Sequence, residues 1–215
     1  MTYLQIVNKV LRLMREDEIT SVVSPDDVVA ALVGDFVNDA KRTVEDSHDW
    51  NVLRESISVN TAASNSSVGV TGAGKYLRIE DVYDSDGIAL KEITNKRMTS
   101  LKALAGPDDN PRYYCVNGVD GSGDVKLLLH PTPASVAPLT VTAFVAQADL
   151  AADADELDVP VQPVVYLALA LAARERGEVG GQTAAEIFGM ADRYLSDAIA
   201  KDVALTEYEY DWYSN

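Results

Sequence analysis

The chain has 215 residues, 34 of them acidic and 18 basic, which gives a formal charge of -16 at pH 7 and a pI near 4.4. That length buries one substantial core, or a core with a smaller appended layer, so one or two compact units are expected. The charge repels phosphate backbones and excludes tight nucleic-acid binding as the chain's function, while it suits both simple solubility and a wall past which DNA slides without sticking.

The opening MTYLQIVNKVLRLMRED has no basic leader and no small-residue cleavage site, so synthesis in the cytoplasm without a signal peptide is expected. Leu4, Val7, Leu11 and Met14 recur at helical spacing and Thr2 offers a capping oxygen, which predicts a first helix from Tyr3 to about Glu16. Ser24-Pro25-Asp26-Asp27 is a helix start: a hydroxyl cap, a proline where the missing N–H costs nothing, then carboxylates at the positive end of the dipole. The second helix runs from there to about His48. Val28, Val29, Leu32, Val33, Phe36, Val37, Ala40 and Val44 form its apolar face, with Asp35, Asn38, Asp39, Lys41 and Arg42 on the polar side. The two helices make a hairpin.

After Trp50 the period changes to two. RESISVNT reads as a strand with Ile57 and Val59 inward, and TAASNSSVGVTGAGK reads as a loop. KYLRIEDVYD and GIALKEI read as two strands around a turn at Asp84 to Gly87, and NKRMTSLKALA as a short helix capped by Thr94. PRYYCVNGV, DVKLLLHPTP and PLTVTAFVAQA complete the strands, the first two joined as a hairpin by VDGSGD. Cys115, the single cysteine, excludes an internal disulfide and a cysteine-rich zinc site, and reads as a small buried residue on a strand. A third helix opens near Val161, with Val165, Leu169 and Ala172 on one side and Leu167 and Leu171 on another. Its apolar stretch Val164 to Ala173 falls short of the ~20 residues that cross a bilayer, so it is a core helix and no membrane partner is expected. Gly177 to Gly181 ends it, and a last helix runs from Thr183 to about Leu205. The predicted fold is therefore α+β: an antiparallel helical bundle from residues 1–50 and 148–206, with a strand-rich insertion at 51–147 and an aromatic, acidic tail at 207–215.

Candidate chemistry reduces to structure at each motif. His48 and His130 have no metal-binding spacing around them, and His48 lies at a predicted helix C-terminus beside Asp49, where a proton is favoured. Asp84-Ser85-Asp86-Gly87 resembles the start of a calcium loop but lacks the closing Glu near Asn95, and reads as a plain turn. TGAGK, ending at Lys75, lacks phosphate-loop spacing, and Ser122 in DGSGD has no positioned base. Asp153, Asp155, Glu156 and Asp158 form a solvated connection that also favours the next helix start. No catalytic residue, cofactor site or metal site is expected. The tail differs: Tyr208, Tyr210, Trp212 and Tyr213 crowd four amphipathic rings at the end of the chain, a composition suited to docking on another chain.

The order of helical hairpin, His48-Asp49-Trp50 exit, strand-rich insertion, LLLHPTP, acidic loop and VPVQPVVYLALALAARERGE resembles the head-to-tail adaptor (connector) proteins of tailed bacteriophages, especially the short-tailed ones. The resemblance implies a structural virion protein at the head–tail junction, forming a ring of about twelve copies beneath the portal protein. Tail nozzle or other tail proteins would bind below, and DNA would pass through the lumen without specific binding. It assigns the helical core to the ring wall and portal docking to Tyr208, Tyr210, Trp212 and Tyr213. The alternatives are an acidic, non-catalytic binding or regulatory module, and a tail-associated cell-wall hydrolase, which would need paired acids or a catalytic His in a cleft.

Overall fold

A computed structural model describes residues 1–23, 27–72, 77–104, 106–176 and 183–205. It is α+β, and among the described residues it has five α-helices and seven strands in two sheets. The chain divides into two compact units, one of Met1–Leu53 with Gln147–Asn215 and one of Arg54–Ala146.

The first unit is helical: α1 (Tyr3–Leu13), α2 (Val28–Asp46), α4 (Val161–Glu175) and α5 (Thr183–Leu205). α1 starts with a reciprocal cap in which the Thr2 hydroxyl accepts from the Gln5 amide and the Gln5 side chain accepts from the Thr2 amide. It ends at Leu13, earlier than the spacing implies, because Arg15 turns to φ 62° and the Glu16 amide closes back on the Leu11 carbonyl. α2 is capped by Asp27, whose carboxylate accepts from the Val29 amide. Ser24, Pro25 and Asp26, the expected start signal, lie outside the described residues. The buried face of α2 is rotated from the expected one: Val28 is 83% exposed, whereas Val33, Val37, Ala40, Lys41 and Val44 are buried. Lys41 follows Val37 by four residues and so shares its face, which a count of apolar residues alone misses. Ile6, Val7, Val10 and Leu11 of α1 meet this face together with Val164, Val165 and Ala168 of α4, and that contact is the core of the unit.

The acidic segment before α4 is more than a solvated connection. The carbonyls of Asp155 and Asp153 accept from the Tyr3 and Leu4 amides, two of the free donors of α1. The Asp153 carboxylate accepts from the Val22 amide at 2.6 Å, and that of Asp155 from the Ala151 and Ala152 amides at 2.7 Å each. Those two amides hold the Asp155 carboxyl below its ordinary range. These acids are folded into turns and into the cap of α1. They do not start the next helix as expected, since α4 has Pro160 at its N-cap and no side-chain cap.

The second unit holds a three-stranded sheet of order β1 (Arg54–Asn60), β7 (Pro138–Phe144), β3 (Arg78–Tyr83) and a four-stranded sheet of order β2 (Ser67–Gly69), β6 (Val125–His130), β5 (Tyr113–Val119), β4 (Lys91–Glu92). Val59, Val82, Leu139 and Val141 from the first sheet and Val68, Tyr114, Leu127 and Leu129 from the second share one core. On the other face of the second sheet, Cys115 and Leu128 pack with Met98 of α3 (Asn95–Ala103), so the LLL run is covered on both sides. Two strand expectations change. The segment read as a loop contains β2, because Val68 and Val70 alternate inward and are buried. The turn at Asp84 to Gly87 forms, but β3 and β4 part after the Leu90 amide bonds the Val82 carbonyl, and β4 pairs in parallel with β5 instead. Leu90 and Ile93 belong to different cores, which pulls the chain from one sheet to the other.

Candidate functional site

α2 ends at Asp46, and the four residues that follow its Ser47 cap build one end of the helical unit. The Trp50 indole N–H donates to the Val44 carbonyl at 2.7 Å, which folds the ring under the helix end, where it is only 1% exposed. The His48 ring stands edge-on to it, 5.0 Å between centroids. His48 Nε2 lies 3.1 Å from the carboxylate of Asp202 on α5, and both the amide and the side-chain N–H of Asn51 donate to that carboxylate at 3.1 Å. Asn51 also donates to the Asp202 carbonyl at 3.2 Å. One carboxylate thus gathers the exit of α2 and pins it to the far end of α5. Asp202 is an acid partner of His48 that the sequence did not point to: the two positions are 154 residues apart, so no local pattern announces the pair.

Beside this junction a cleft of about 490 Å³ opens between the start of α4 and the last turns of α5. Trp50 forms part of its floor, and Pro160, Pro163, Tyr194, Ala198, Lys201 and Leu205 line it. Tyr194 is braced by Tyr166 of α4, 4.7 Å between ring centroids, and both burial and the neighbouring phenol push the Tyr166 hydroxyl's pKa up. A second feature lies deeper. Lys41, fully buried, donates to both Glu45 oxygens at 3.1 and 3.2 Å and to the Gln147 carbonyl at 2.6 Å. Burial pushes the Glu45 carboxyl up, against the pull of Lys41. Asn38, expected on the polar side, clamps the backbone of Leu150 through both its amide N–H and its carbonyl oxygen.

The residues singled out from the sequence have these places. Tyr208, Tyr210, Trp212 and Tyr213 lie outside the described residues, as does Lys75. His130 stacks on Tyr113 at 6.5 Å in the strand unit. Asp84 spends its carboxylate on the Asp86 and Ile88 amides of its own turn, and Ser122 sits in a turn organised by Asp120. Cys115 donates its thiol to the Asn95 side chain at 3.3 Å, and burial raises its pKa. Among the described residues no group of three or more His, Cys, Asp or Glu is arranged to hold a metal ion, and no helix is long and apolar enough to cross a membrane.

No curated protein matches the chain significantly. The model of the SU10 adaptor protein family matches residues 1–210, a span that takes in both units and the first two rings of the tail, Tyr208 and Tyr210. The chain therefore belongs to the SU10 adaptor protein family, the phage head-to-tail adaptors of the short-tailed type to which its sequence order pointed.

Proposed function

We propose that this adaptor forms a closed ring of about twelve copies that joins the portal to the tail and lines the channel through which DNA leaves the head. The observation that carries this reading is the family match across residues 1–210. In it the helices of 1–50 and 148–206 pack as an antiparallel bundle and make the ring wall. The strand-rich insertion, 51–147, faces neighbouring copies or tail proteins such as the nozzle. The tail at 207–215 docks on the portal through Tyr208, Tyr210, Trp212 and Tyr213. The role is structural, without catalysis or cofactor, and its place is the head–tail junction of the virion.

The charge of -16 supports a lumen from which DNA is repelled instead of trapped. Four rings in the tail support docking, since Tyr and Trp bury large area for little side-chain entropy. The test is mass by light scattering or native mass spectrometry, for the protein alone and mixed with its portal protein. A ring-sized complex with one adaptor per portal subunit is expected, and a chain lacking Glu207 to Asn215 should stay folded and lose the complex. Two unchanged masses with the intact chain would overturn the adaptor ring; retained binding by the shortened chain would overturn the tail as its anchor.

A further inference from the structure

The acid excess of the chain is carried by one of its two units. Residues 54–146 hold 9 bases and 10 acids, while the rest of the chain holds 9 bases and 24 acids. Within the second unit the bases gather on α3 and the strand before it: over residues 91–102, Lys91, Lys96, Arg97 and Lys102 stand against the single acid Glu92. Met98 and Leu101 turn α3 inward onto Cys115 and Leu128, which leaves Lys96 and Arg97 exposed on its outer side. Neither has an ion pair among the described residues. We propose that this outer side of α3 docks on the outer side of α2 in a second copy of the chain, as the contact between neighbours in the ring. The inference rests on the ring reading and goes beyond it by naming the two surfaces that meet.

The two helices carry matching patterns. On α3, Arg97, Ser100 and Leu104 recur at i, i+3 and i+7 and share one exposed side, with Leu104 at the C-cap 78% exposed. On α2, Val28, Leu32, Asp35 and Asp39 recur at i, i+4, i+7 and i+11, and all four are exposed. Each stripe thus has an apolar end and a charged end about 10 Å apart, two helical turns. Their order is opposite: base then leucine along α3, apolar side chains then acids along α2. Laid antiparallel, one register brings Leu104 to Leu32 and Arg97 to Asp39 together. Laid parallel, every register that pairs the charges leaves Leu104 against polar residues.

The carboxylates of the α2 stripe are open to such a partner. Asp35 makes no ion pair among the described residues, and Asp39 has only a 3.7 Å contact with Arg42, whose guanidinium is held by two hydrogen bonds to Asp149. Charge also selects a second copy as the occupant. Chains of formal charge -16 repel one another unless opposite charges meet where they touch. A basic patch and an acidic stripe on every copy give a head-to-tail contact, the kind that rotation closes into a ring. A DNA duplex is served less well, because each phosphate neutralised needs its own base and the rest of the chain repels the backbone.

The test uses the full-length chain with its portal protein and reads, by native mass spectrometry, how far the ring fills to one adaptor per portal subunit. One variant carries Lys96→Glu with Arg97→Glu, and another Asp35→Lys with Asp39→Lys; circular dichroism confirms that both fold. Each sets like charges against each other and should raise the concentration that fills the ring by about tenfold. An equal mixture of the two should fill it as the intact chain does, since every contact in an alternating ring is again between opposite charges, and so should one chain carrying all four changes. Filling unchanged in both variants, or a mixture no better than its components, would overturn the contact and leave the ring standing. Loss in the α3 variant alone would overturn it in favour of an acidic tail protein or DNA on that patch. An intact chain that forms no ring would overturn the ring and the contact together.

Discussion

Lys41 is the most costly side chain to bury in the helical unit, and its neighbours show why the fold tolerates it. All three ammonium protons have acceptors, two on Glu45 and one on the Gln147 carbonyl. Removing one partner of such a pair leaves a charge stranded in the core, which costs about 3–5 kcal/mol. Lys41→Met should therefore destabilise strongly at neutral pH, measured by urea unfolding, and Lys41→Met with Glu45→Met should recover much of the loss. The pH dependence has a definite sign. Burial raises the Glu45 carboxyl above its ordinary value of 4.5. Its contribution is then fully present below that value and fades as pH rises through the raised one. The penalty of Lys41→Met should shrink as pH falls into that window, where Glu45 takes up a proton, and a penalty that grows in acid would refute the assignment. Little of this was legible beforehand. A lysine among Asp39, Arg42 and Thr43 looks like a solvated face, and only the core positions of Val33 and Val37 show that it points inward. Asp202 was hidden for another reason: it reaches His48 from across the chain, and nothing near either residue marks the other.

At the scale of elements, α1 and α2 approach so closely that one position has no room for a side chain. A Cβ placed on Gly34 would lie 2.7 Å from the Tyr3 hydroxyl and 3.6 Å from its ring carbon Cζ. Two effects then oppose each other in Gly34→Ala. Alanine improves helix propensity by about 1 kcal/mol, while the overlap with a buried tyrosine costs about 1–3 kcal/mol. The single variant should be neutral to destabilising. Adding Tyr3→Phe removes the clashing oxygen, so the double variant should be more stable than Tyr3→Phe alone by about 1 kcal/mol, read by thermal unfolding of all four proteins. A double variant no more stable than Tyr3→Phe alone would mean that the Tyr3 hydroxyl is not what fills the space at Gly34. The elements legible from sequence are those with local causes: the Thr2 cap of α1, the Thr94 cap of α3, and the Asp120 to Gly123 turn between β5 and β6. Those misread were decided by partners far along the chain. β2 exists because β6 offers it an edge, and β4 leaves its hairpin because β5 and the Ile93 core draw it away.

For the whole molecule the excess of 34 acids over 18 bases is reinforced by what the bases are doing. Lys41 is buried, and Arg12, Arg42, Arg54, Arg112 and Arg176 are each paired with an acid of their own unit. A phosphate contact at one of these five arginines must first break its pair, and the net negative charge of the chain opposes the approach of a phosphate backbone at any base. The free protein should therefore bind duplex DNA more weakly than a Kd of about 10⁻⁴ M even at about 50 mM salt, with no salt slope to measure. Filter retention or fluorescence anisotropy with a labelled duplex of arbitrary sequence checks this. A salt-dependent micromolar affinity would require a basic surface gathered from several chains or from groups now paired, and would overturn the view that DNA passes this protein without being held.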